Sequence, residues 1–385
     1  MIGSRKGRRM RILVIPTTDW IRHPLPNRLN FIFDILAERH DVYVLNFNLK
    51  RFKDQEPRGT RCMMVDAGWF EASDPSIYYL LNSVPHFLKI RELVRRERID
   101  VIVSANILPA FAANFAGTPV VLDYLDHFEE SASVYYPGSL VGRVIQRGVS
   151  GIVKYNVAHA DHIITVTKEF KSLLGAMGGK EITVVPNGVD SELLRPLPKE
   201  ESKRKLGLEG NVLGYVGSLE HWVDLEMVVE AMPFIDAKLL VIGPGLFTNY
   251  GEKIQRLAED IGVSDKIAFI GAVRYQDLGP YISAMDIGLN PLKRMKKNEE
   301  TVGGKVFNYL ACGRPVLSSR MSALVNLLPE ELFYYDDIEG FISQTNKILN
   351  MKIDANKCRS VAEKYDWRNI ALLYEEVLCR AAGER

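Results

Sequence analysis

Short apolar runs recur through this chain, each separated from the next by a stretch with helical spacing, and that alternation leaves few folds open. Residues 12–16, 42–46, 101–104, 120–123, 163–167 and 182–186 read as strands buried on both faces. A second series follows at 212–216, 238–242, 267–270, 287–289 and 316–318. Between the first two runs, Leu29, Ile32, Phe33, Leu36 and Ala37 return every three or four residues and form one apolar helix face. Strand and helix alternating in this way predict an α/β fold of doubly wound parallel sheets. A turn-and-linker stretch runs from Val185-Pro186-Asn187-Gly188 through Pro196 and Pro198 to the charged run 199–205, and it divides the chain. The expected organisation is one α/β domain over residues 1–187, a second over 188–364, and a closing amphipathic helix over 365–385. That helix would place Trp367, Ile370, Leu373, Tyr374 and Val377 on one stripe.

Charge and cysteine usage narrow the function classes. Lys and Arg number 49 against 48 Asp and Glu, so the net charge of +1 offers no general field for nucleic acid. The cysteines Cys62, Cys312, Cys358 and Cys379 show no CxxC spacing, which argues against a zinc site and a disulfide framework and fits a reducing cytoplasm. No run approaches the roughly 18 apolar residues of a membrane-spanning helix. The aromatic segment Trp69, Phe70, Tyr78, Tyr79, Phe87 and the basic residues Arg5, Lys6, Arg8 and Arg9 have two readings. Packing is favoured; peripheral contact with anionic lipid at the inner face of the membrane is the alternative.

The run from Gly303 to Leu317 carries the clearest chemistry. Gly303 and Gly304 allow their amides to approach an anion, the helix behind them starts with Lys305, Val306 and Asn308, and Lys305 adds a cation. Gly313 and Pro315 would end that helix before a buried strand. Gly214-Tyr215-Val216-Gly217-Ser218 places another glycine at a strand end, but the spacing is not G-x-G-x-x-G. No carboxylate closes the next strand, so NAD binding is disfavoured. In the first half, Asp123-Tyr124-Leu125-Asp126-His127 offers two acids and a histidine in one loop, with helix capping as an equal reading for either acid. The loop after the first strand holds Trp20, able to stack on a sugar face, with His23 and Arg28 able to meet a phosphate; plain loop chemistry is as good a reading. His159, Asp161 and His162 lack a third ligand in view and read as structural.

Several of these anchors, in order, resemble the retaining glycosyltransferases of the two-Rossmann GT-B architecture, in particular the large family-four (group 1) type. They are Val185-Pro186-Asn187-Gly188-Val189-Asp190, Tyr215-Val216-Gly217, the strand ending Gly243-Pro244-Gly245, Ile270-Gly271 with Arg274 just after it, the segment 284–291, and the run from Gly303. The pattern is closest to cell-surface polysaccharide glycosyltransferases. The resemblance implies two Rossmann-like domains facing a central cleft, a nucleotide-diphosphate sugar as co-substrate, no cofactor and no metal. It also implies a glycan or lipid-linked acceptor, and transfer with retention by front-face attack. The donor would lie on Gly217, Ser218, Arg274, Gly303, Gly304, Lys305, Val306 and Asn308. Glu300, Lys305, Asp126 and His127 would serve the reacting centre, and Trp20, His23, Arg28 and Asp123 the acceptor. Two departures stand out: the second acid of the family's E-x7-E pair is Asn308, and the Arg and Lys usual after the glycine strand end are Ser218 and Val223. An epimerase of the same fold and a noncatalytic sugar-nucleotide-binding protein are the alternatives.

Overall fold

The computed structural model describes residues 8–127, 140–245 and 248–383. The chain divides into two compact units, one formed by Met1–Pro186 with Ile370–Arg385 and the other by Asn187–Asn369. The described residues build one parallel sheet in each unit.

In the first unit the strands are β1 (Arg11–Ile15), β2 (Asp41–Asn46), β3 (Met63–Asp66), β4 (Val101–Ser104), β5 (Val120–Tyr124), β6 (His162–Thr165) and β7 (Ile182–Val184). They lie in the order β3-β2-β1-β4-β5-β6-β7. The helices are α1 (Arg28–Leu36), α2 (Pro75–Leu81), α3 (Ser83–Arg96), α4 (Ile107–Ala113), α5 (Leu140–His159) and α6 (Lys168–Ala176). Right-handed crossovers place α3, α4, α5 and α6 on one face and α1 on the other, because the winding reverses between β1 and β4. Asn27 starts α1 as a capping box with Asn30. Edge strand β3 is half-buried at its centre and exposed at its ends, and its apolar run Met63-Met64-Val65 is short and is not among the strands expected from the sequence.

The second unit contains β8 (Val212–Val216), β9 (Lys238–Ile242), β10 (Ile267–Gly271), β11 (Ile287–Asn290), β12 (Val316–Ser319) and β13 (Phe333–Tyr335). Their order is β10-β9-β8-β11-β12-β13. Its helices are α7 (Lys199–Lys205), α8 (Leu225–Ala231), α9 (Tyr250–Ile261), α10 (Leu278–Ala284), α11 (Lys296–Glu300), α12 (Lys305–Ala311), α13 (Ser322–Leu327), α14 (Ile338–Leu349) and α15 (Ala355–Lys364). The last helix, α16 (Trp367–Ala381), begins in the second unit and, from Ile370, belongs to the first. Its buried stripe is Trp367, Ile370, Ala371, Tyr374, Val377 and Leu378. Leu373, expected on that stripe, is exposed instead, because it stands about 100° from Tyr374 around the helix. Among the described residues no helix is long and apolar enough to cross a membrane.

The aromatic segment splits between core and surface. Tyr78 and Tyr79 are buried against Phe47, whereas Trp69 and Phe70 are exposed. Of the basic amino-terminal residues, Arg5 and Lys6 lie outside the described residues, and Arg8 and Arg9 pair with Asp100 and Asp41. His86 is fully buried among Phe47, Tyr78 and Tyr79, and neither ring nitrogen has a hydrogen-bond partner among the described residues. Burial pushes its pKa down to about 4. The unfolded chain therefore takes up a proton near pH 6.5 that the folded protein refuses, so stability present above that pH is lost as pH falls. Wild-type protein should lose about 2 kcal/mol at this position between pH 7 and pH 5. A His86→Phe variant should escape that loss in urea unfolding at the two pH values; equal losses in both proteins would refute the assignment.

Candidate functional site

In the second sheet the winding reverses between β8 and β11, which opens a crevice at the carboxyl ends of these strands. Two glycines, Gly214 and Gly288, face each other across that pair. A Cβ on Gly214 would enter the Met285 side chain, and one on Gly288 would enter the Tyr309 ring. The room at Gly288 lets Tyr309 of α12 lie directly on the sheet, while the room at Gly214 takes the Met285 side chain. Its hydroxyl accepts the Val216 N–H at 2.7 Å and donates to the Leu289 carbonyl at 3.1 Å, bridging the two strands where they part. The start of α12 is thereby fixed above the end of β8.

Lys305 opens α12, and its Nζ donates to the Tyr215 hydroxyl at 3.2 Å and lies 4.3 Å from that ring's centre. The Tyr215 hydroxyl itself donates to the Ser218 carbonyl. No carboxylate pairs with Lys305 among the described residues. Loss of hydration lowers its pKa to about 7. Beside it, Gly217 has a positive φ of 153°, and a Cβ there would stand 3.0 Å from Nζ. Gly243, at the end of β9, is packed so closely on the Gly217 carbonyl that no side chain fits. Beyond Gly243 a cavity of about 480 Å³ extends along Leu219, Val241, Thr248, Phe269 and Gly271. At the turn before Lys305, Gly303 stands open, with nothing within 4 Å of the place a Cβ would occupy. Gly304 caps the helix and is followed by Val306, buried at its second position.

Asn308 sits three residues beyond Lys305, and its Oδ1 accepts the Tyr275 hydroxyl at 3.3 Å. That hydroxyl also accepts the Asp190 N–H, and Asn187 Nδ2 donates to the Val302 carbonyl, so residues 187–190 are tied to the glycine turn. Arg274, immediately before Tyr275, is exposed and paired with Asp277 at 2.6 Å. Glu300 closes α11, half-buried, with Oε2 withdrawn from solvent. The structure thus brings Gly217, Ser218, Gly303, Gly304, Lys305, Val306 and Asn308 to one edge, while the Arg274 guanidinium is engaged elsewhere. Tyr215, Tyr275 and Tyr309 were missed by sequence reasoning. The one available signal was a tyrosine in an otherwise aliphatic strand, at Tyr215.

In the first unit several candidates for the acceptor are corrected. Trp20 is buried, with Nε1 donating to Thr60 Oγ1 at 3.1 Å, so it cannot stack on a sugar. Arg28 and Asp123 are buried and face each other at 3.7 Å. Arg28 donates to the Val185 carbonyl, and Tyr374 donates to Asp123 at 3.1 Å. Burial raises the Asp123 pKa, with the Arg28 charge and the Tyr374 hydrogen bond opposing it. Both side chains lie inside the fold, with Arg28 Nε and Nη1 and Asp123 Oδ1 buried without a hydrogen-bond partner among the described residues. His23 is half-buried, with Nδ1 against the Leu25 carbonyl and its ring edge-on to Phe52. On the loop after β5, Asp126 accepts the His127 N–H at 2.8 Å, and the His127 ring is buried against Phe170. His159 stacks on Tyr155, His162 meets Thr183, and Asp161 accepts the Val120 N–H, three separate structural duties.

Residues 210–351 match the family model described as glycosyl transferases group 1, and residues 34–193 match that of Glycosyltransferase Family 4. A Bacillus subtilis protein assigned to teichuronic acid biosynthesis as a glycosyltransferase, TuaH, is 27% identical over 235 residues, 58% of this chain and 55% of that protein. The 2-deoxystreptamine glucosyltransferase of Streptomyces kanamyceticus is 26% identical over 260 residues, 64% of this chain and 65% of that protein. The chain thus spans less than two thirds of the length of these relatives. Among solved structures, sucrose-phosphate synthase from Thermosynechococcus elongatus superposes with a TM-score of 0.77 at 17% identity, covering 98% of this chain and all of that one. Anabaena HepE in complex with UDP-glucose gives 0.71 at 18% identity, covering 96% of this chain and 100% of that one. Identities this low speak for the fold alone.

The unpaired ammonium of Lys305 has a thermodynamic cost. Its pKa lies near 7 in the folded protein and near 10.5 in the unfolded chain, so folding is penalised below pH 7 and the penalty fades as pH rises toward 10. A Lys305→Met variant should exceed wild type at pH 6 by roughly 1–2 kcal/mol, discounted for the side chain's partial exposure. The gap should close by pH 10. Chemical unfolding across this range measures it, and a variant less stable than wild type at pH 6 would contradict the assignment.

Proposed function

The chain belongs to the group 1, family-four glycosyltransferases and has their GT-B fold, and we propose that it moves a sugar from a nucleotide-diphosphate donor to a glycan or lipid-linked acceptor with retention of anomeric configuration. One observation carries the reading. Lys305 holds an ammonium at the carboxyl edge of the second sheet, against glycine backbone and without a carboxylate partner among the described residues. A diphosphate is the anion that such a cradle lacks.

In this proposal the diphosphate lies over Gly217 and the open turn at Gly303 and Gly304, with the nucleoside directed into the cavity past Gly243. That a neighbour in fold, HepE, is described with UDP and with UDP-glucose supports a nucleotide-sugar donor. As the bond between the anomeric carbon and the leaving phosphate lengthens, negative charge grows on the phosphate oxygen. Lys305 and the amides at the start of α12 meet that charge, already oriented and with little water to reorganise. No resident metal is needed for this step in the proposal. Asn308 can donate through its amide to the donor's ribose hydroxyls while Tyr275 holds its oxygen. Glu300 is the carboxylate assigned to the donor sugar, and Asp126, half-buried on the loop after β5, to the acceptor hydroxyl.

Thermal-shift screening of UDP-, GDP- and ADP-sugars tests the donor site directly, since a ligand bound only by the folded state raises its apparent stability. One nucleotide class should shift the transition, and a uniformly inert panel would sink the proposal. Lys305→Ala should lower kcat by about 10²- to 10³-fold, the loss typical of one oriented donor to a developing oxyanion. Because the Lys305 pKa is near 7 in the ligand-free protein, a bound diphosphate must raise it, so affinity for the nucleotide diphosphate should weaken from pH 7 to pH 9. Calorimetry on wild type and Lys305→Met should show that slope in the first and not in the second.

A further inference from the structure

The carboxyl ends of β8 and β11 are closed by two loops that hold each other. Val223 pairs with Leu292 in an antiparallel bridge, the Asp224 N–H donates to the Pro291 carbonyl, and the Trp222 carbonyl accepts the Lys293 N–H at 3.1 Å. Asn298, buried on α11, completes the tie, its Nδ2 donating to the Trp222 carbonyl at 2.9 Å and to the Lys293 carbonyl at 2.8 Å. A helix of five residues without a side-chain cap takes its place from such contacts. They hold α11 beside the strand pair at which the winding reverses, the edge that also carries Lys305. The run from Lys293 to Lys297 contains four cations, and they are used differently. Lys293 pairs with Glu226, Arg294 pairs with Asp336, and Lys296 is exposed. Lys297 is half-buried, with its Nζ 4.4 Å from the centre of the Trp222 ring. An aromatic face attracts an ammonium without neutralising it, so such a cation can still take a phosphate. The acids of these loops have partners of their own. Glu226 holds Lys253 and Lys293, Glu299 accepts the Ser322 N–H and hydroxyl, Glu220 accepts the Thr248 hydroxyl, and Asp224 opens α8. Glu300 follows Lys297 by three residues on α11, a spacing that puts both side chains on one side of the helix.

We propose that Lys297, carried on the Trp222 ring, is a second cation for the donor and meets its distal phosphate, the one that bears the sugar, while Lys305 meets the diphosphate from the glycine turn. The inference deepens the donor reading above and rests on it. A nucleoside diphosphate sugar brings two negative charges to this edge, and a further one develops as the sugar leaves. One ammonium does not balance them, and the Arg274 guanidinium is engaged by Asp277. On the loop after β8, Ser218 and Val223 supply no cation, and Val223 is buried. Trp222, next to Val223, instead carries a lysine that comes from the neighbouring helix. Lys297 and Glu300 would then leave α11 with their Cβ atoms about 5–6 Å apart. The cation is directed to the phosphate and the carboxylate to the sugar hydroxyls, with the bond that breaks between them.

Calorimetry on the full chain with UDP, GDP and ADP, each beside its monophosphate, tests the assignment. Wild type should bind one diphosphate and the matching monophosphate. Lys297→Met should lose about tenfold to a hundredfold on the diphosphate, the range for a hydrogen bond to a charged group, and bind the monophosphate as wild type does. Lys297→Arg should recover most of the loss. The diphosphate should also change the emission of Trp222, read as the difference between wild type and Trp222→Phe, and the monophosphate should leave it unchanged. This inference alone is overturned if wild type binds such a pair and Lys297→Met equals it on both. It is equally overturned if that variant weakens on both alike, which is the mark of a misplaced α11. A panel to which wild type is inert overturns the donor reading and this inference with it.

Discussion

The hydroxyl of Tyr309 is the contact on which the second unit's site depends. Parallel strands on either side of a winding reversal separate at their carboxyl ends, leaving a last N–H on one and a last carbonyl on the other without a ladder partner. Tyr309 satisfies both, at Val216 and Leu289, from a helix that has only seven residues. Such a short helix has little stability of its own and takes its position from packing. Because Gly288 clears the space, a single buried side chain sets both the height of α12 and the direction of its first turn. Lys305 is one turn before Tyr309 on the same helix, so the geometry of the cation follows from the geometry of the bridge.

That placement puts a charge where the fold would be more stable without one. An ammonium loses hydration on approaching Tyr215 and the Gly217 turn, and no carboxylate pairs with it among the described residues. Other buried cations in this chain are treated differently: Lys203 is paired with Asp286, and Arg28 faces Asp123. The contrast separates a structural ion pair from a site built for an external anion. An uncompensated cation in a crevice lined by glycine backbone is a local conflict, and such conflicts concentrate where a ligand resolves them.

Much of this was readable from the residues. The apolar runs located every central strand, because strands buried on both faces must be continuously apolar. They did not locate β3 and β13, which sit at sheet edges, are three or four residues long and owe their pairing to neighbours rather than to composition. The glycine turn, Lys305 and Gly217 were legible because phosphate chemistry demands small residues and a cation at a strand-to-helix join. Trp20, Arg28 and Asp123 misled for one physical reason: polar or aromatic residues near strand ends look alike in sequence whether they face a ligand or each other. Only the pairing of Asp123 with Arg28 and with Tyr374, 251 residues away, distinguishes the two cases. Sequence spacing could not supply that long-range contact.

The substitution at Asn308 gains a physical meaning from its position. A carboxylate there would stand three residues after Lys305 on the same helix, a spacing at which opposite charges on a helix attract. It would draw on the ammonium and tend to raise its pKa toward the ordinary value. The amide carries no charge, and its oxygen is already held by Tyr275, itself fixed by the Asp190 N–H in the segment that joins the two units. The exchange of an acid for an amide therefore leaves Lys305 without a competitor for an incoming anion. It also ties the residue beside the cation to the chain that leads out of the first unit. The loss of the arginine and lysine usual after the glycine strand end removes positive charge from the same crevice. Removing the carboxylate as well takes away a negative charge, so the two departures from the family pattern change the charge of the crevice in opposite directions.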